Sequence, residues 1–502
     1  MKNRNLLFLC IVSSLLVCGC GREVFTGKRE ARGMWMSRFE YASKSPDSAK
    51  GKITRLFEKA RHAKFNMVFL QVRGNGDAYY RSVHEPWAES LTGTFGKDPG
   101  WDPLQYAVDE AHRLGLELHV WINVFPIWRG KEPPPETTPR SAMLAHPEWL
   151  VCEEDGSPMK FDPPNNNYVW ISPGNPAARQ HVLNVVQDII EHYDIDGMHF
   201  DHIRYPEGSV KKGYSHDAVS VARFNSAEGN PAKLSWEHWQ RDQLSQFVFD
   251  AYNLITAKKS WVKVSAALIG KMRGSGWTSY DAVFQDGRRW MELGKVDFIM
   301  PMIYRERTHP THPFIPLMTE WQDRAGYDRH VFPGLGARLI QSVGWGEIVA
   351  QIKEVRKRGL PGLVFFSATG LEQAWELLGT DEFPYWSLAP RSPWKDSTAP
   401  AAPTNVSAEY SSKGVVIQWK VPNAGEPQNF VVYRSDKPAL SREDAYSIVT
   451  VTGRNATEFI DDVPLREKMN EAYYAVAAID RLSNESLLSP IVRAVAPLKA
   501  PR

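Results

Sequence analysis

The larger N-terminal part of the chain alternates short apolar runs with longer amphipathic stretches. Eight runs have the length and the β-branched and aromatic content of buried strands. They cover residues 33–40, 66–73, 116–124, 195–203, 262–270, 296–304, 330–337 and 362–368. Stretches with helical periodicity, such as residues 49–64, 103–115 and 345–359, lie between them. This alternation predicts an α/β fold of the (β/α)₈ TIM-like barrel type over residues 29–386.

A doubly wound open sheet is the alternative fold for such a pattern. The first run is not followed by the glycine-rich turn that such sheets use to hold a dinucleotide. Two long insertions, residues 125–178 and 205–240, follow the third and fourth runs. Both lie on the strand-to-helix side, where barrels build their active sites. The insertions therefore favour the barrel.

The C-terminal part of the chain has a different pattern. Residues 387–402 are rich in Pro, Ala and Ser, which predicts an interdomain linker. Residues 403–498 form short alternating runs such as "GVVIQWKV" and "NFVVYRSD", which are typical of an all-β sandwich. The pattern resembles a fibronectin type III module. Trp419 would be its core tryptophan and Tyr473 or Tyr474 its corner tyrosine.

The first residues predict where the protein is found. "MKNRNLLFLCIVSSLLVCGC" begins with basic residues and continues with an apolar run that is too short to span a bilayer. Its end resembles a bacterial lipobox, which predicts a signal peptide over residues 1–19, a lipidated Cys20 and a tether over residues 20–28. An ordinary cleaved signal peptide and a simple membrane anchor are the alternatives. We expect a lipid-anchored protein of the bacterial cell envelope, on the periplasmic face or the cell surface.

Composition narrows the classes of ligand. The chain has 60 basic and 58 acidic residues, so no basic field points to nucleic acid. Cys152 is the one cysteine after Cys20, and no CxxC pair is present to bind zinc. Aromatic residues make up 12% of the chain and include 18 Trp, whose flat rings can pack on sugars.

Polar side chains near the ends of the predicted strands are the candidates for a binding site. Residues two apart on a strand share a face, and a face that carries His, Arg and Asp cannot meet the apolar helices outside a barrel. These sets must therefore point into the barrel. The candidates for substrate binding are Trp35, Gln71, Arg73, His119, Trp121, Asn123, His199, His202, Arg204, Tyr205 and Tyr304.

Carboxylates near the strand ends suggest glycoside hydrolysis, which uses two such groups. Asp201 closes the fourth strand, and its neighbours His199, His202 and Arg204 are expected to lower its pKa, as suits a nucleophile. The second catalytic carboxylate stays open between Asp77 and Glu306. Glu40 and Glu207 are further alternatives.

Two rival functions remain. A carbohydrate-binding or scaffolding lipoprotein would keep the sugar groove without turnover. A metal-dependent hydrolase would use His119, His199 and His202, but His199 and His202 are three apart and so point to different faces of a strand. We therefore expect neither a metal nor a cofactor.

Several motifs together resemble the glycosyl-hydrolase-like family 10, or DUF187 group, which includes bacterial envelope lipoproteins. The motifs are "RGMWM", "FNMVFLQVRGNGDAYYRS", "WISPGNPAAR", "DGMHFDHIRYP" and "DFIMPMIY". The resemblance implies a barrel glycoside hydrolase, with peptidoglycan glycan strands as a substrate of relatives and Asp77 and Asp201 on family patterns. His202 and Ile203 replace an acidic and aromatic pair of the family pattern, and "PMIYRE" replaces "PQIYW"; both changes lie in the predicted site. The C-terminal domain is a candidate contact for an envelope protein partner.

Overall fold

The computed structural model describes residues 27–130, 132–159, 168–323, 328–421 and 429–497. Its main unit is a closed barrel of eight parallel strands. The barrel strands are β1 (Ala31–Met36), β2 (Met67–Arg73), β3 (Glu117–Asn123), β6 (Gly197–Asp201), β7 (Lys263–Ile269), β8 (Phe298–Ile303), β10 (Gly334–Gly336) and β11 (Gly362–Phe366). The pairing of β8 with β10 completes the ring. The predicted (β/α)₈ fold is confirmed.

Three short strands lie outside this ring. The pair β4 (Pro126–Trp128) and β5 (Val169–Trp170) forms a small antiparallel ladder within the first long insertion. Strand β9 (His330–Val331) pairs with β8 and precedes β10. Phe332 and Pro333 separate β9 from β10, because proline has no N–H to donate to a ladder. The seventh predicted run is therefore two short strands.

The helices surround the barrel and occupy its loops. They are α1 (Arg38–Tyr41), α2 (Pro46–His62), α3 (Pro103–Arg113), α4 (Ala142–Ala145), α5 (Pro176–His192), α6 (Ser209–Lys212), α7 (Ala218–Phe224), α8 (Trp236–Lys258), α9 (Gly287–Glu292), α10 (Phe314–Gln322), α11 (Leu339–Ser342), α12 (Trp345–Lys357) and α13 (Trp375–Leu377). Three long helices share one start signal, a polar cap followed by proline. The caps of α2, α3 and α5 are Ser45, Asp102 and Asn175, and each side chain accepts a bond from a backbone N–H of the first turn.

Alternation along the strands divides the barrel residues into two sets. Inward side chains such as Phe69, Trp121 and Phe298 form one core inside the ring. Outward side chains such as Val68, Leu70 and Val120 pack with the helices in a second, larger core. This is the period of two expected for strands that are covered on both faces.

The C-terminal unit consists of two antiparallel sheets. Their strands are β12 (Thr404–Ser411), β13 (Gly414–Lys420), β14 (Asn429–Ser435), β15 (Ile448–Val451), β16 (Glu458–Asp461), β17 (Glu471–Ile479) and β18 (Val492–Val495), with the short helix α14 (Val463–Arg466). One sheet has the order β12–β13–β16 and the other β15–β14–β17–β18. Trp419 is buried in the core, and the buried Tyr474 donates its hydroxyl to Asp461 at 2.9 Å. The sheets are consistent with the expected all-β domain, and the relation to fibronectin type III stays a prediction.

The C-terminal unit packs against the N-terminal end of the barrel. Arg454 forms ion pairs with Asp194 and with Asp196, which directly precedes β6, and Arg481 also pairs with Asp194. The first part of the predicted linker lies in this region too: Leu388 is buried, and Trp394 donates to Asp297 at 2.6 Å. The opposite end of the barrel, where the strands end, stays open.

The predicted signal peptide and Cys20 lie outside the described residues. Within the described ranges, no helix is both long and apolar enough to cross a membrane.

Candidate functional site

A cavity of about 250 Å³ opens at the C-terminal ends of the barrel strands. Its walls come from strand ends, from the residues that directly follow them and from Tyr168 of the first long insertion. The lining residues are Trp35, Ser37, Arg38, Phe39, Gln71, Trp121, Asn123, Tyr168, Asp201, His202, Arg204, Ala267, Met302, Tyr304 and Phe366. The cavity therefore combines aromatic rings, amides and charged groups, which is the composition of a small-ligand site.

Asp201 is the last residue of β6 and has a side chain that is almost fully enclosed. Its Oδ1 accepts the backbone N–H of His202 at 2.6 Å and a guanidinium N–H of Arg204 at 3.4 Å. His202 has φ +48°, the left-handed conformation that turns the chain sharply at the end of the strand. This turn lets the amide that follows Asp201 bond to the carboxylate of Asp201.

The pKa of Asp201 departs from the expected direction. Burial raises its pKa above the ordinary value, and this effect exceeds the opposing charge of Arg204 and the opposing hydrogen bonds. The predicted lowering by the two histidines is not found, because burial also lowers the pKa of His199 and His202 well below the usual value and keeps both rings neutral. The Asp201 carboxyl group therefore holds its proton more tightly than an exposed aspartate.

A hydrogen-bonded amide pair forms part of the floor of the cavity. Gln71 donates to Asn123 Oδ1 at 3.2 Å, and the indole N–H of Trp121 donates to the same oxygen at 3.1 Å. Asn123 in turn donates to the carbonyl of Gly74 at 2.8 Å. These bonds fix the orientation of both amides, as a site that binds sugar hydroxyl groups requires.

Aromatic rings form the wall on the other side. Tyr304 stacks on Phe366 with 5.1 Å between the ring centroids, and both rings meet the edge of Trp35 at 6.2 Å. The structure thus brings eight of the predicted residues to the cavity: Trp35, Gln71, Trp121, Asn123, Asp201, His202, Arg204 and Tyr304.

His119 and His199 point into the barrel, as predicted, but lie below the cavity. His199 receives the indole N–H of Trp35 on Nε2 at 3.0 Å, so its Nδ1–H donates to Ser265 at 2.9 Å. His119 contacts Glu117 at 3.1 Å and packs on Phe69 with 4.7 Å between the rings. Each is the third residue of its strand, two or more positions before the strand end. Because barrel interiors are filled in layers of side chains, these two residues lie in a lower layer than the inward residues at the strand ends.

Arg73 does not reach the cavity, because a β-bulge intervenes. Gln71 pairs with Trp121 while Arg73 pairs with Ile122, so the two residues do not share a face as strict alternation predicts. Arg73 forms a buried bidentate ion pair with Glu85, at 2.7 and 2.6 Å. Its position indicates a structural role.

Tyr205 also lies away from the cavity. Its ring is fully buried and packs against Phe284 at 5.5 Å between centroids. The backbone N–H of Tyr205 donates to the carbonyl of Val283 at 3.2 Å, so this part of the loop packs against the segment that follows β7.

The two candidates for a second carboxylate do not line the cavity. Oδ1 of Asp77 accepts the backbone N–H groups of Gly74 at 3.2 Å and Asn75 at 2.9 Å, which makes Asp77 part of a turn. Glu306 is half-buried beyond the end of β8, outside the cavity wall.

The two further carboxylates have other environments. Glu40 ties α1 to the loop after β11, since one oxygen accepts from Ser37 and the other from Ser367 and Thr369. Glu207 is exposed. Among the described residues that line the cavity, Asp201 is the single carboxylate.

Four charged or aromatic lining residues were missing from the sequence analysis: Arg38, Phe39, Tyr168 and Phe366. The sequence does contain a signal for Arg38 and Phe39: "SRFE" is a capping box, in which Ser37 and Glu40 cap the start of a helix. It places the end of β1 at Met36, so Arg38 and Phe39 stand at the barrel mouth. Tyr168 could not be found this way, since it reaches the site through the fold of an insertion.

No metal site is evident in the parts of the chain that the structure describes. These residues include no group of three or more His, Cys, Asp or Glu side chains that could hold an ion.

Comparisons with known proteins find a family and several relatives. A sequence model of the family described as "Glycosyl hydrolase-like 10" matches residues 30–343. The chain is 26% identical over 491 residues to the glycosyl hydrolase YngK of Bacillus subtilis, with 92% of each chain covered. It is 26% identical over 323 residues to the glycosyl hydrolase DigH of Escherichia coli, with 58% of this chain and 69% of DigH covered.

A solved structure shares the fold. The PgaB (BpsB) glycoside hydrolase domain from Bordetella bronchiseptica superposes with a TM-score of 0.51 at 13% identity. The match covers 70% of this chain and 99% of that domain.

Proposed function

The chain belongs to the glycosyl hydrolase-like 10 family, and from that premise we propose that it cleaves O-glycosidic bonds of a polysaccharide. The family and the barrel fold support a glycosidase-type function. The observation that carries the proposal is Asp201, a carboxyl group only 7% exposed at the end of a barrel strand, in a cavity lined by aromatic rings and amides.

Asp201 is proposed as the proton donor of the reaction. Cleavage of a glycosidic bond is assisted by a carboxylic acid that protonates the leaving oxygen. Burial raises the pKa of Asp201, which favours the protonated form that a donor needs. When the proton leaves, the His202 amide and the Arg204 guanidinium can stabilise the carboxylate that forms.

The remaining lining groups suit a sugar. The rings of Trp35, Trp121 and Tyr304 offer apolar faces to pyranose rings, and the amides of Gln71 and Asn123 can bond to hydroxyl groups. We propose peptidoglycan-type glycan strands as the substrate. This follows from the envelope location that the first twenty residues predict, with Cys20 as a lipid anchor.

A second candidate function is a non-catalytic carbohydrate-binding or scaffolding protein. One observation favours it: hydrolysis of this kind uses two carboxyl groups, and the described lining of the cavity has only Asp201. In that case the cavity would bind a glycan without cleaving it.

One experiment separates the two functions. Purified soluble protein without residues 1–20 is incubated with envelope and plant glycans, including amidase-stripped peptidoglycan, and the products are analysed by mass. Asp201→Asn is the matched control, because it removes the proton and keeps the side-chain shape. We expect cleavage by the wild-type protein only. Binding without products would support the second function, and equal cleavage by the Asp201→Asn variant would remove Asp201 from the reaction.

The anchoring proposal has a separate test. The full-length chain and its Cys20→Ala variant are expressed in a bacterial host, and the membrane and soluble fractions are compared. We expect only the wild-type chain, which keeps Cys20, to fractionate with membranes. Membrane association of both proteins would reject lipidation of Cys20 as the anchor.

A further inference from the structure

An exposed aromatic ring stands at the edge of the cavity. Phe39, in the helix α1 that follows β1, lines the cavity and has 67% of its surface exposed. Nearby rings in the cavity, such as Trp35, are buried. Single exposed apolar side chains are common on protein surfaces, but this one stands at the mouth of a cavity, where its ring can pack on a ligand.

Guanidinium groups lie against this ring. The Cζ atom of Arg38 is 4.3 Å from the ring centroid of Phe39, and that of Arg129 is 5.6 Å away. Arg129 also lies 5.5 Å from the ring of Tyr168, whose hydroxyl accepts a bond from Arg38 at 3.3 Å. We call Arg38, Phe39, Arg129 and Tyr168 the rim cluster. The first long insertion supplies two of its members and thereby completes the rim.

Arg38 is the unusual member of the rim cluster. Its side chain is buried, yet its hydrogen bonds within the described residues go to neutral acceptors: Gln71 Oε1 at 2.9 Å, Asn75 Oδ1 at 3.1 Å and the Tyr168 hydroxyl. No carboxylate of the described residues lies within ion-pair distance of it, and the buried Asp77 acts on it only through space, where its charge helps to raise the pKa of Arg38. Buried arginines are ordinarily paired with an anion, since desolvating a charge is costly.

The backbone is arranged to hold the guanidinium of Arg38 in place. Gly74 lies directly beside it, and a Cβ atom there would overlap Cζ of Arg38. The second arginine of the cavity, Arg204, has Asp201 as its ion-pair partner at 3.4 Å. The described lining thus carries two arginines and one carboxylate, which gives the cavity an excess of positive charge.

We propose that the rim cluster is a subsite for a sugar that bears a carboxylate group. The sugar ring packs on Phe39, and its carboxylate accepts hydrogen bonds from Arg38, which thereby gains the directly bonded anion that the described residues do not provide. The substrate class is an acidic glycan, with the carboxylate on the ring carbon of a uronic acid or on an ether-linked lactyl group. This inference rests on the proposed function.

The test measures binding in the Asp201→Asn background, where turnover is removed. The ligands are peptide-free peptidoglycan oligosaccharides, the same oligosaccharides with their carboxylates converted to methylamides, neutral N-acetylglucosamine oligomers, and uronic acid oligomers. We expect the acidic form to bind about 10- to 100-fold more tightly than its methylamide, as for a charge-assisted hydrogen bond to a buried guanidinium. Preference for the uronic acid or the lactyl ligand identifies which carboxylate the subsite takes. Equal affinity for acidic and amidated ligands overturns the proposal.

Variants locate the effect on the rim cluster. Arg38→Gln is expected to abolish the preference for the acidic ligand and to leave the affinity for the neutral oligomer within about threefold, since it removes a charge-assisted bond only. Arg305→Gln, an exposed arginine just past the end of β8, is the matched control and should keep the preference. If Arg38→Gln does not fold, Phe39→Ala serves in its place and should weaken binding of all sugars. An unchanged preference in a folded Arg38→Gln variant, or full affinity in Phe39→Ala, overturns the subsite.

Failure of the subsite and failure of the proposed function give different results. Cleavage of acidic and neutral glycans at equal rates by the wild-type protein would reject the subsite and keep the hydrolase. Selective binding of acidic glycans without cleavage of any would reject the hydrolase and keep the subsite.

Discussion

Arg454 holds the C-terminal unit on the barrel, and its removal should destabilise the strand that carries Asp201. Arg454 pairs with Asp196, which is 2% exposed and directly precedes β6, and with the half-exposed Asp194 at 2.9 Å. Asp196 also contacts His112 at 2.9 Å and accepts the N–H of Leu118 at 2.9 Å. Arg454→Met replaces the guanidinium with an apolar side chain of similar length.

The expected cost follows from the burial of Asp196. Removing one partner of a buried ion pair costs about 3–5 kcal/mol, because the other charge stays buried without compensation. His112 and the Leu118 amide remain, so we expect a loss near the lower bound, about 3 kcal/mol of unfolding free energy. The matched control is Arg493→Met, which breaks an exposed pair with Glu471 in the same unit and should cost less than about 1 kcal/mol.

The cost of Arg454→Met should also depend on pH. Burial alone would raise the pKa of Asp196, but the charges of Arg454 and His112 hold it well below the ordinary value. A carboxyl group whose pKa is lower in the folded state than in the unfolded state stabilises the folded state at pH values above its unfolded pKa, which is about 3.9 for Asp. That stabilisation is lost as the pH falls through the pKa of the folded state. The difference between the wild-type protein and the variant should therefore be largest near neutral pH and shrink below about pH 4.

The assay is urea denaturation followed by tryptophan fluorescence, at pH 7 and at pH 3.5. A second variant, Arg454→Met with Asp196→Asn, removes the buried charge as well and should recover more than half of the lost stability. A cost below about 1 kcal/mol at pH 7 would refute the reasoning. So would a double variant that is no more stable than Arg454→Met.

Three further predictions concern the site. Asp201→Asn should reduce the cleavage rate roughly 10²- to 10⁴-fold, because it removes the proton that the reaction uses. An unchanged rate of product formation would remove Asp201 from the reaction. If Asp201 acts in its protonated form, kcat/KM should fall as the pH rises through its raised pKa. Because the charge of Arg204 lowers that pKa, Arg204→Gln should move the fall to higher pH, whereas Arg204→Lys should not. An unchanged pH profile in Arg204→Gln would show that the fall does not report the pKa of Asp201. Arg73→Met should cost about 3 kcal/mol in denaturant titrations, because the buried Glu85 keeps only its contact with His181 at 3.2 Å. The KM of the folded fraction should stay unchanged, and a raised KM would return Arg73 to the binding site.

The sequence by itself determined the barrel and the direction of most inward side chains. Eight apolar runs separated by helical stretches leave few ways to bury both faces of the strands, and the alternation of side chains is a local property of extended backbone. The same local rule identified Asp201 and Asn123 as inward residues at strand ends, and they are neighbours across β3 and β6.

Only the tertiary structure decided how deep each inward residue lies, and which carboxyl group is desolvated. His119 obeys the alternation but lies in a lower layer, and the bulge at Arg73 breaks the alternation, which no pattern of single residues records. The pKa of Asp201 reverses its expected direction because burial is a collective effect of the walls around it, whereas the sequence displays only its charged neighbours. Arg38 and Tyr168 are 130 residues apart in the sequence, and only the folded insertion brings them into contact.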